Sequence, residues 1–569
     1  MLVGASLLCG ETACSLVYNG ETTTQCSSEA DCVARGSAFA DTTCNEAHLC
    51  VKVPSDSRIC ATNQSCVDRL GGPAICRKVD HKCASLVANG CRVFGDSQQI
   101  SDDNAIVIGN IVPADVLGTQ QEAAVKLARD TINKGFGGGL PPATADGAPR
   151  PLIVVSCNSE FTDPQGAARH LIKTVHVPAL IGGNIASNVL TTANDLAIPS
   201  NVVEMTPTVS APVLSGLVKH DLIWRLNFSD LLTQPALNPF FAKYLENAGA
   251  GRLYADGIAK PGEPIRVAMM QNGDGSGVFP GEALVKLLKF NDGKSVGDNG
   301  SNFLRVNFGN PSDKINNPNP SAKYAAAVAQ VVAFKPHVII HVGGPESINF
   351  TAIAVERQWV SLSGGAPRPI HIATTLAWQA PVIDAIATLG PGAADMRKRF
   401  FGLQGTPVGF DPAVAAAWAS EMVSTFSGDI GTEPSAIGAP ARNTYDGIFL
   451  LAYAIIANGT GDLVGTNVAA GLRRVTVPDA DSVHVGTDEL SKGRAALASG
   501  APINLVGVSG RLNFDPLADR SPGIANIYCL KTIPASSPPV VVPTLSGFKL
   551  KEDGSVVGDA ATITANCFP

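Results

Sequence analysis

Fourteen cysteines in 569 residues are the densest source of chemistry in this sequence, and eleven of them fall between positions 9 and 91. They come as pairs, Cys9/Cys14, Cys26/Cys32, Cys44/Cys50, Cys60/Cys66 and Cys76/Cys83, whose first members stand 17, 18, 16 and 16 residues apart. Val33, Val51 and Val67 each follow the second cysteine of a pair, which makes the array an internal repeat. Units this small cannot bury a core of their own, so cross-links must stabilise them. Zinc is the rival reading. It favours two to four residues between paired cysteines, with histidines at matching spacing, whereas the gaps here are four to six and His48 and His81 are read as out of register. Disulfides are therefore expected, in a connectivity that the spacing leaves open. Cys91 is left over, with Cys157, Cys529 or Cys567 as its candidate partner. Such an array belongs in an oxidising compartment, as a stalk, a docking module or a stabilising cap.

Catalytic patterns do not assemble elsewhere. GDGSGVFPG (273–281) stands where a dinucleotide fingerprint would, but the glycine spacing is wrong for G-x-G-x-x-G. Ser276 and Ser509 lie in DGSGV and GVSGR, and neither makes a nucleophile elbow. His337 and His341 share a strand face without a recurring acid or cysteine, and no glycine-rich stretch carries a P-loop lysine. No enzyme, cofactor or metal centre is expected.

The elements that would position any site begin at IVIGNIVP (106–113), an apolar run with the character of a buried strand. Thr119 and Glu122 read as a capping box for the helix that follows. LIVVSC (152–157) is a second strand, Asp163-Pro164 starts a second helix, and ALIGG (179–183) is a third strand. Alternating strands and helices with non-alternating strands mean a parallel sheet covered on both faces. A helix from about 188 and a strand near 202–205 follow. The pattern then restarts at IRVAMM (265–270), with a glycine-rich loop, a helix from about Gly281, HVIIHV and PIHIA. The expected organisation is a Cys-rich module at 1–95, a first lobe at 104–228 plus 404–506, a second lobe at 229–403 plus 507–532, and a Pro-rich linker and tail at 533–569.

Composition narrows the class. Charged residues are 16% and the formal net charge is −7, which gives no basic footprint for nucleic acid. No apolar run reaches the roughly 18 residues of a spanning helix. MLVGASLL lacks a basic region and is too short for a complete signal peptide, so a start placed late or a trimmed chain is expected. Cys9 is a candidate lipid-attachment cysteine, against which stands the bulky Leu8 before it.

The ordered set IGNIVP, DPQGA, ALIGGNIAS and IPSNVVEMTPTVSAPVL resembles the type I periplasmic solute-binding proteins, in particular the branched-chain amino-acid and amide binders, over roughly residues 104–532. The resemblance implies two Rossmann-like lobes joined by three hinge crossovers that close on a small ligand. It implies ligand contacts at Ser187, Asn188, Thr208, Val209 and Ser210 in the first lobe, where hydroxyls and free amides suit an anion. In the second lobe the matching loops offer Asp274, Ser276, Phe279, Glu346, Thr374 and Thr375, a set that departs from the branched-chain pattern. Trp378 is a further candidate wall. The implied role is an exported binder of an amino acid, amide or small carboxylate, serving an ABC permease or a membrane sensor from the periplasm or cell surface. The alternative is an interaction protein on the same fold, with the Cys-rich repeats as its docking module.

Overall fold

The computed structural model describes residues 24–27, 31–32, 35, 39, 42–44, 48–52 and 60–568, the last range less 145–146, 159, 161, 248–250, 311–318, 345, 375–380, 516–519, 521–522 and 534–539. Cys9, Cys14, Thr375 and Trp378 lie outside the described residues.

Two sheets organise the chain. The first holds β1 (Cys91–Phe94), β2 (Ile106–Ile111), β3 (Leu152–Cys157), β4 (Ala179–Gly182), β5 (Val203–Thr206) and β6 (Ile223–Arg225), in the order β6-β5-β4-β2-β3-β1. All its pairings are parallel except β1 with β3. Strands β2 to β5 are buried at every position, as expected where helices cover both faces. The second sheet runs β8 (Phe303–Asn307), β7 (Val267–Gln271), β9 (Val338–Val342), β10 (Ile370–Ala373) and β11 (Phe400–Thr406) in parallel. It then adds β12 (Ile524–Ile533), β13 (Val540–Lys551) and β14 (Val556–Val557) in antiparallel. The protein is thus α/β, with two parallel-rich lobes.

The chain passes between the lobes three times: after β6, after β11, and between the short strand Gly510–Arg511 and β12. The second crossing returns helices to the first lobe. Helices α4 (Pro412–Ile430) and α5 (Ala439–Asn458) close one apolar core with β2, β4, β5 and α1 (Val116–Gly135), through Ile108, Val125, Ile181, Met205, Met422 and Ile448. The run IFLLAYAIIA of α5 is buried nearly all round, so it is a core helix.

Arg520, a fully buried side chain, joins the first and third crossovers directly and the second through Arg511. Its guanidinium donates to the carbonyls of Leu226, Ser509 and Arg511 and to Asn443 Oδ1 at 2.9–3.3 Å, and lies over the Phe228 ring. Leu226 and Phe228 belong to the first crossover. Arg511 in turn donates its amide to Val408 of the second, at 2.9 Å. Asp446 of α5 accepts the amides of Val508 and Ser509 and the Ser509 hydroxyl, and its charge acts on Arg520.

Several local expectations are corrected. Helix α1 begins at Val116, because Asp115 caps it by accepting from Gly118 N; Thr119 bonds back to Asp115 O, and Glu122 pairs with Arg92 and Ser156, so no capping box forms. The helix expected from Gly281 starts six residues earlier as α3 (Gly275–Leu287), capped by Asp274, so the glycine-rich segment is helix rather than loop. Within the tail, β13 and α6 (Ala560–Cys567) extend the second lobe: Phe548, Ile563 and Cys567 enter its core, and Cys529–Cys567 staples α6 to β12.

The cysteine array is built on a period twice that expected. The bridges are Cys26–Cys44, Cys32–Cys50, Cys60–Cys76 and Cys66–Cys83, so adjacent pairs interlock. Cys26, Cys32, Cys44 and Cys50 recur 34, 34, 32 and 33 residues later as Cys60, Cys66, Cys76 and Cys83. On that period the histidines are in register. His48 and His81 each stand two residues before the last cysteine, each has a left-handed backbone (φ 57° and 52°), and each carbonyl accepts the amide of the first cysteine. The second repeat docks on the first lobe. Arg77 reaches the carbonyls of Lys173 and Thr174, and Leu86 enters the core beside Cys91. Cys91 bridges to Cys157, joining β1 to β3. All twelve described cysteines are bridged, so their clustered sulfurs are not free thiolates for a metal.

Replacing Arg520 with Ala is expected to leave three buried carbonyls and the Asn443 oxygen without their donor, and Asp446 without a countercharge. A loss of about 3–5 kcal/mol of unfolding free energy in urea is expected, against under 1 kcal/mol for an exposed arginine such as Arg35.

Candidate functional site

In both lobes the parallel strands follow the order 2-1-3-4-5 in chain sequence within the lobe. Ligands of such sheets bind outside the carboxyl ends of the strands where the order reverses. That point lies between β2 and β4 in the first lobe and between β7 and β9 in the second. The loops there carry 183–187 on one side, and 272–276 with 343, 344, 346 and 347 on the other.

The two sides touch. An ideal Cβ on Gly275, at the start of α3, would lie 2.9 Å from Ser187 N and 3.2 Å from Ala186 Cβ. Only glycine lets the lobes approach this closely. One turn further on, Phe279 of the second lobe packs against a first-lobe cluster of Ala186, Val189, Val209, Ala211 and Leu214. Ser187, Val209 and Phe279 are thus brought to one place, and Asn188 is tied in by its amide donating to Glu160 O at 3.2 Å.

The remaining first-lobe hydroxyls are satisfied inside the protein. Ser210 Oγ donates to Asp230 Oδ2 at 2.8 Å, and Thr208 Oγ1 reaches Gly183 O only at 3.5 Å. Burial pushes the Asp230 carboxyl up to about 7, against the pull of the Ser210 bond and of Arg225. In the second lobe, Asp274 Oδ1 accepts both the amide and the hydroxyl of Ser276, at 2.8 and 2.6 Å. Glu346 Oε1 accepts from Asn272 Nδ2 at 2.7 Å and from Gly344 N at 2.9 Å. Burial raises the Glu346 carboxyl, and the nearby Asp274 adds to that. Thr374 Oγ1 donates to His341 O at 3.1 Å, which ties it to the neighbouring strand.

Three residues outside the sequence-derived set complete the site. Glu160, three residues after β3 and only 1% exposed, accepts the amides of Asn184 and Ile185 and the Asn184 side chain. Burial pushes its carboxyl up to about 7, with Asp115 adding to the rise. Asn272 links Glu346 to Ser276, and its Oδ1 is buried without a partner. Glu204 on β5 is 2% exposed, its Oε2 has no partner, and burial alone holds it well above the usual carboxylate range. An acid in the short connection after an apolar strand is the readable signal for Glu160; Glu204 sits inside a strand and has no such mark. His337 and His341, by contrast, are structural: His337 accepts from Arg266 N, and His341 stacks on His371, which bonds Glu356. Among the described residues no nucleophile, base and oxyanion donor come together.

No family model matches the sequence, and no curated protein matches it. Among solved structures the chain is similar to the leucine-binding protein LivK of Thermotoga maritima, with 17% identity and a TM-score of 0.48 over 75% of this chain and 95% of that one. It is also similar to the branched-chain amino acid binding protein LivJ of Streptococcus pneumoniae in complex with isoleucine (15%, 0.48, 77% and 99%). A third is a solute-binding protein of an ABC transporter from Rhodopseudomonas palustris BisB5 in complex with 3,4-dihydroxybenzoic acid (16%, 0.49, 80% and 99%). These are likenesses of fold at low identity, and the two-lobed architecture rests on the strand pairings above.

The Glu160 carboxyl has a sign that can be measured. Its folded-state value near 7 lies above the ordinary 4.5, so between them the folded protein holds a proton that the unfolded chain releases. Its contribution to stability is present below about pH 4.5 and is lost as pH rises through about 7. Urea melts at about pH 5 and about pH 7.5 should show the parent losing more stability over that interval than Glu160→Gln, by up to about 3 kcal/mol.

Proposed function

We propose that this chain is an exported, non-enzymatic solute-binding protein that encloses a small polar ligand between its lobes by hinge motion. The observation that carries the reading is the meeting of two switch-point loop sets across one hinge, with Gly275 against Ser187 and Asp274, Ser276 and Glu346 beside them. On this reading Ser187 and Asn188 offer the first-lobe contacts, with Thr208, Val209 and Ser210 behind them, and Phe279 and Thr374 belong to the second-lobe side. The disulfides suit an oxidising compartment, the periplasm or the cell surface. No helix among the described residues is long and apolar enough to cross a membrane. The closed form would be what an ABC permease or a membrane sensor recognises.

A second reading has an observation of its own. The chain's Glu160 occupies amides that a ligand anion would use, and Phe279 fills an apolar patch of the opposite lobe. On that reading the lobes are a rigid platform and the Cys-rich repeats dock a partner.

Thermal denaturation of the oxidised protein against amino acids, amides, small carboxylates and sugars separates them. A ligand at 100 times its Kd should add about 2.7 kcal/mol, seen as a raised Tm. Gly275→Val, which wedges the lobes apart, should weaken that ligand at least tenfold while leaving the circular dichroism spectrum unchanged. A flat screen with an intact fold refutes the solute-binding reading.

A further inference from the structure

The loop that leaves β5 is fastened along the whole of the first crossover. Leu226 N donates to Thr206 O at 2.9 Å, and Asn227 Nδ2 to Thr208 O at 2.6 Å. Arg225, the last residue of β6, donates to the carbonyls of Ser210 and Ala211 at 3.2 and 2.8 Å. At the far end Asp230 N donates to Ser210 O at 2.9 Å, and Ser210 Oγ donates to Asp230 Oδ2 at 2.8 Å. Asp230 opens the short helix α2 (Asp230–Thr233), which packs against β11, β12 and α3 of the second lobe. Gln234 Nε2 then reaches Pro280 O of α3 at 3.0 Å. Ser210 is thus a first-lobe residue bonded to a second-lobe helix. Rotating that helix away from the first lobe acts on the two Asp230 bonds first, because they lie at the second-lobe end of the crossover.

Ser210, Arg225 and Asp230 are each 2% exposed. A carboxyl so buried is stable as an anion only when enough donors and positive charge converge on it. Glu356 is the contrast within this chain: against its burial, His371 and Arg399 bond to it and hold its carboxyl well below the usual range. Asp230 accepts from the Ser210 hydroxyl, and among the described residues Arg225 on β6 is the charged group that acts on it. The facing parts of the loop, β11, β12 and α3 add no charge to these. Burial outweighs both, which is why the Asp230 carboxyl stands at about 7. A neutral Asp230 keeps its contact with Ser210, since a hydroxyl accepts as readily as it donates. An ionised one is relieved by water, which reaches it when α2 moves off the loop. The fastened arrangement therefore binds the proton more tightly than a parted one, and loss of the proton favours parting.

We propose that Ser210, Arg225 and Asp230 form a proton-dependent clamp on the first crossover, which holds the lobes in contact and lets them part when Asp230 is ionised. The clamp assigns Ser210 to the hinge rather than to the ligand. It rests on the hinge motion of the solute-binding reading, and on no ligand, so it is tested without one.

Small-angle X-ray scattering of the ligand-free, oxidised full chain between about pH 5.5 and about pH 8.5 is the test. The parent should gain radius of gyration as pH rises, with a midpoint at about 7. Each pH unit by which the fastened form holds the proton more tightly changes the ratio of parted to touching lobes about tenfold. Asp230→Asn, neutral throughout, should keep the smaller radius across the range. Ser210→Ala removes a bond that favours the anion, so its midpoint should move to higher pH. Glu160→Gln, which removes a different buried acid, should leave the midpoint in place. A pH response that persists in Asp230→Asn would overturn the clamp, because it would belong to another group. Should Asp230→Asn not fold, a midpoint unmoved by Ser210→Ala overturns it instead. A constant parent radius, with a ligand found in the screen, sinks the clamp and leaves the solute-binding reading standing. The expected pH response with a flat screen does the reverse, and a constant radius with a flat screen sinks both.

Discussion

One buried guanidinium fixes how the two halves of this protein can move. Arg520 binds carbonyls on the first and third crossovers, and the third is hydrogen-bonded to the second through Arg511. A charge buried to this degree is tolerable only when its donors are met, which is why three carbonyls and an amide oxygen converge on it and Asp446 lies close enough to stabilise it. The crossovers therefore behave as one unit. Rotation of one lobe against the other has to occur about that unit, and the polar loops at the strand ends are the parts that travel furthest.

Closure is then limited by contact and by charge, which act in opposite directions. Contact favours it: Gly275 has no side chain to hold α3 away from Ser187, and Phe279 leaves water for an apolar first-lobe cluster. Burying that ring is worth about 1.5–3 kcal/mol at most. Ionisation opposes it, because burial keeps the Glu160 carboxyl protonated to about pH 7 and raises that of Glu346, so repulsion between the lobes grows only as these protons are lost. On the solute-binding reading the two terms have to lie close to balance, so that a ligand can decide between the open and closed arrangements. A very apolar interface would stay shut, and a purely acidic one would stay open.

The parts of the fold that were legible in the sequence are those where one physical signal dominates. Strands β2, β3 and β4 are short apolar runs buried on both faces, and Asp163-Pro164 starts its helix as read, because cap and proline act locally. Where tertiary contact overrides local propensity, the reading failed. Helix α3 contains Gly275, Gly277, Pro280 and Gly281, which argue against helix on propensity; the Asp274 cap starts it, and Ser187, Asn272 and Gln271 stand where side chains on Gly275, Gly277 and Gly281 would be. The tail reads as a linker with a small strand pair; the strands are there, but Pro543 sits within β13, opposite Leu530 in an antiparallel pairing, where a linker is expected. The cysteine period was halved because each pair looks like the next until the hairpins show which pair opens a unit and which closes it. Of the site, the loop positions were readable from strand ends. Their hydrogen-bond partners were not, since Ser210 with Asp230 and Asn272 with Glu346 are separated by 20 and 74 residues.

The Cys-rich repeats are tied to this machinery rather than appended to it. Cys157 is the last residue of β3, and its bridge to Cys91 joins that strand end to the last segment of the module. Asn158 N then donates to Gly90 O at 2.8 Å, so the chain leaving β3 is held by the module for one further residue. Glu160 stands two residues further on and holds Asn184 and Ile185, which lead into Ala186 and Ser187, the residues against which Gly275 lies. Four short links therefore connect the interlocked disulfides to the contact between the lobes. The links are a disulfide, a backbone hydrogen bond, the bonds of the buried Glu160 carboxyl to two amides, and the close approach of Gly275. The repeats and the first-lobe face of the cleft are thus joined by a continuous path of bonds through the end of β3.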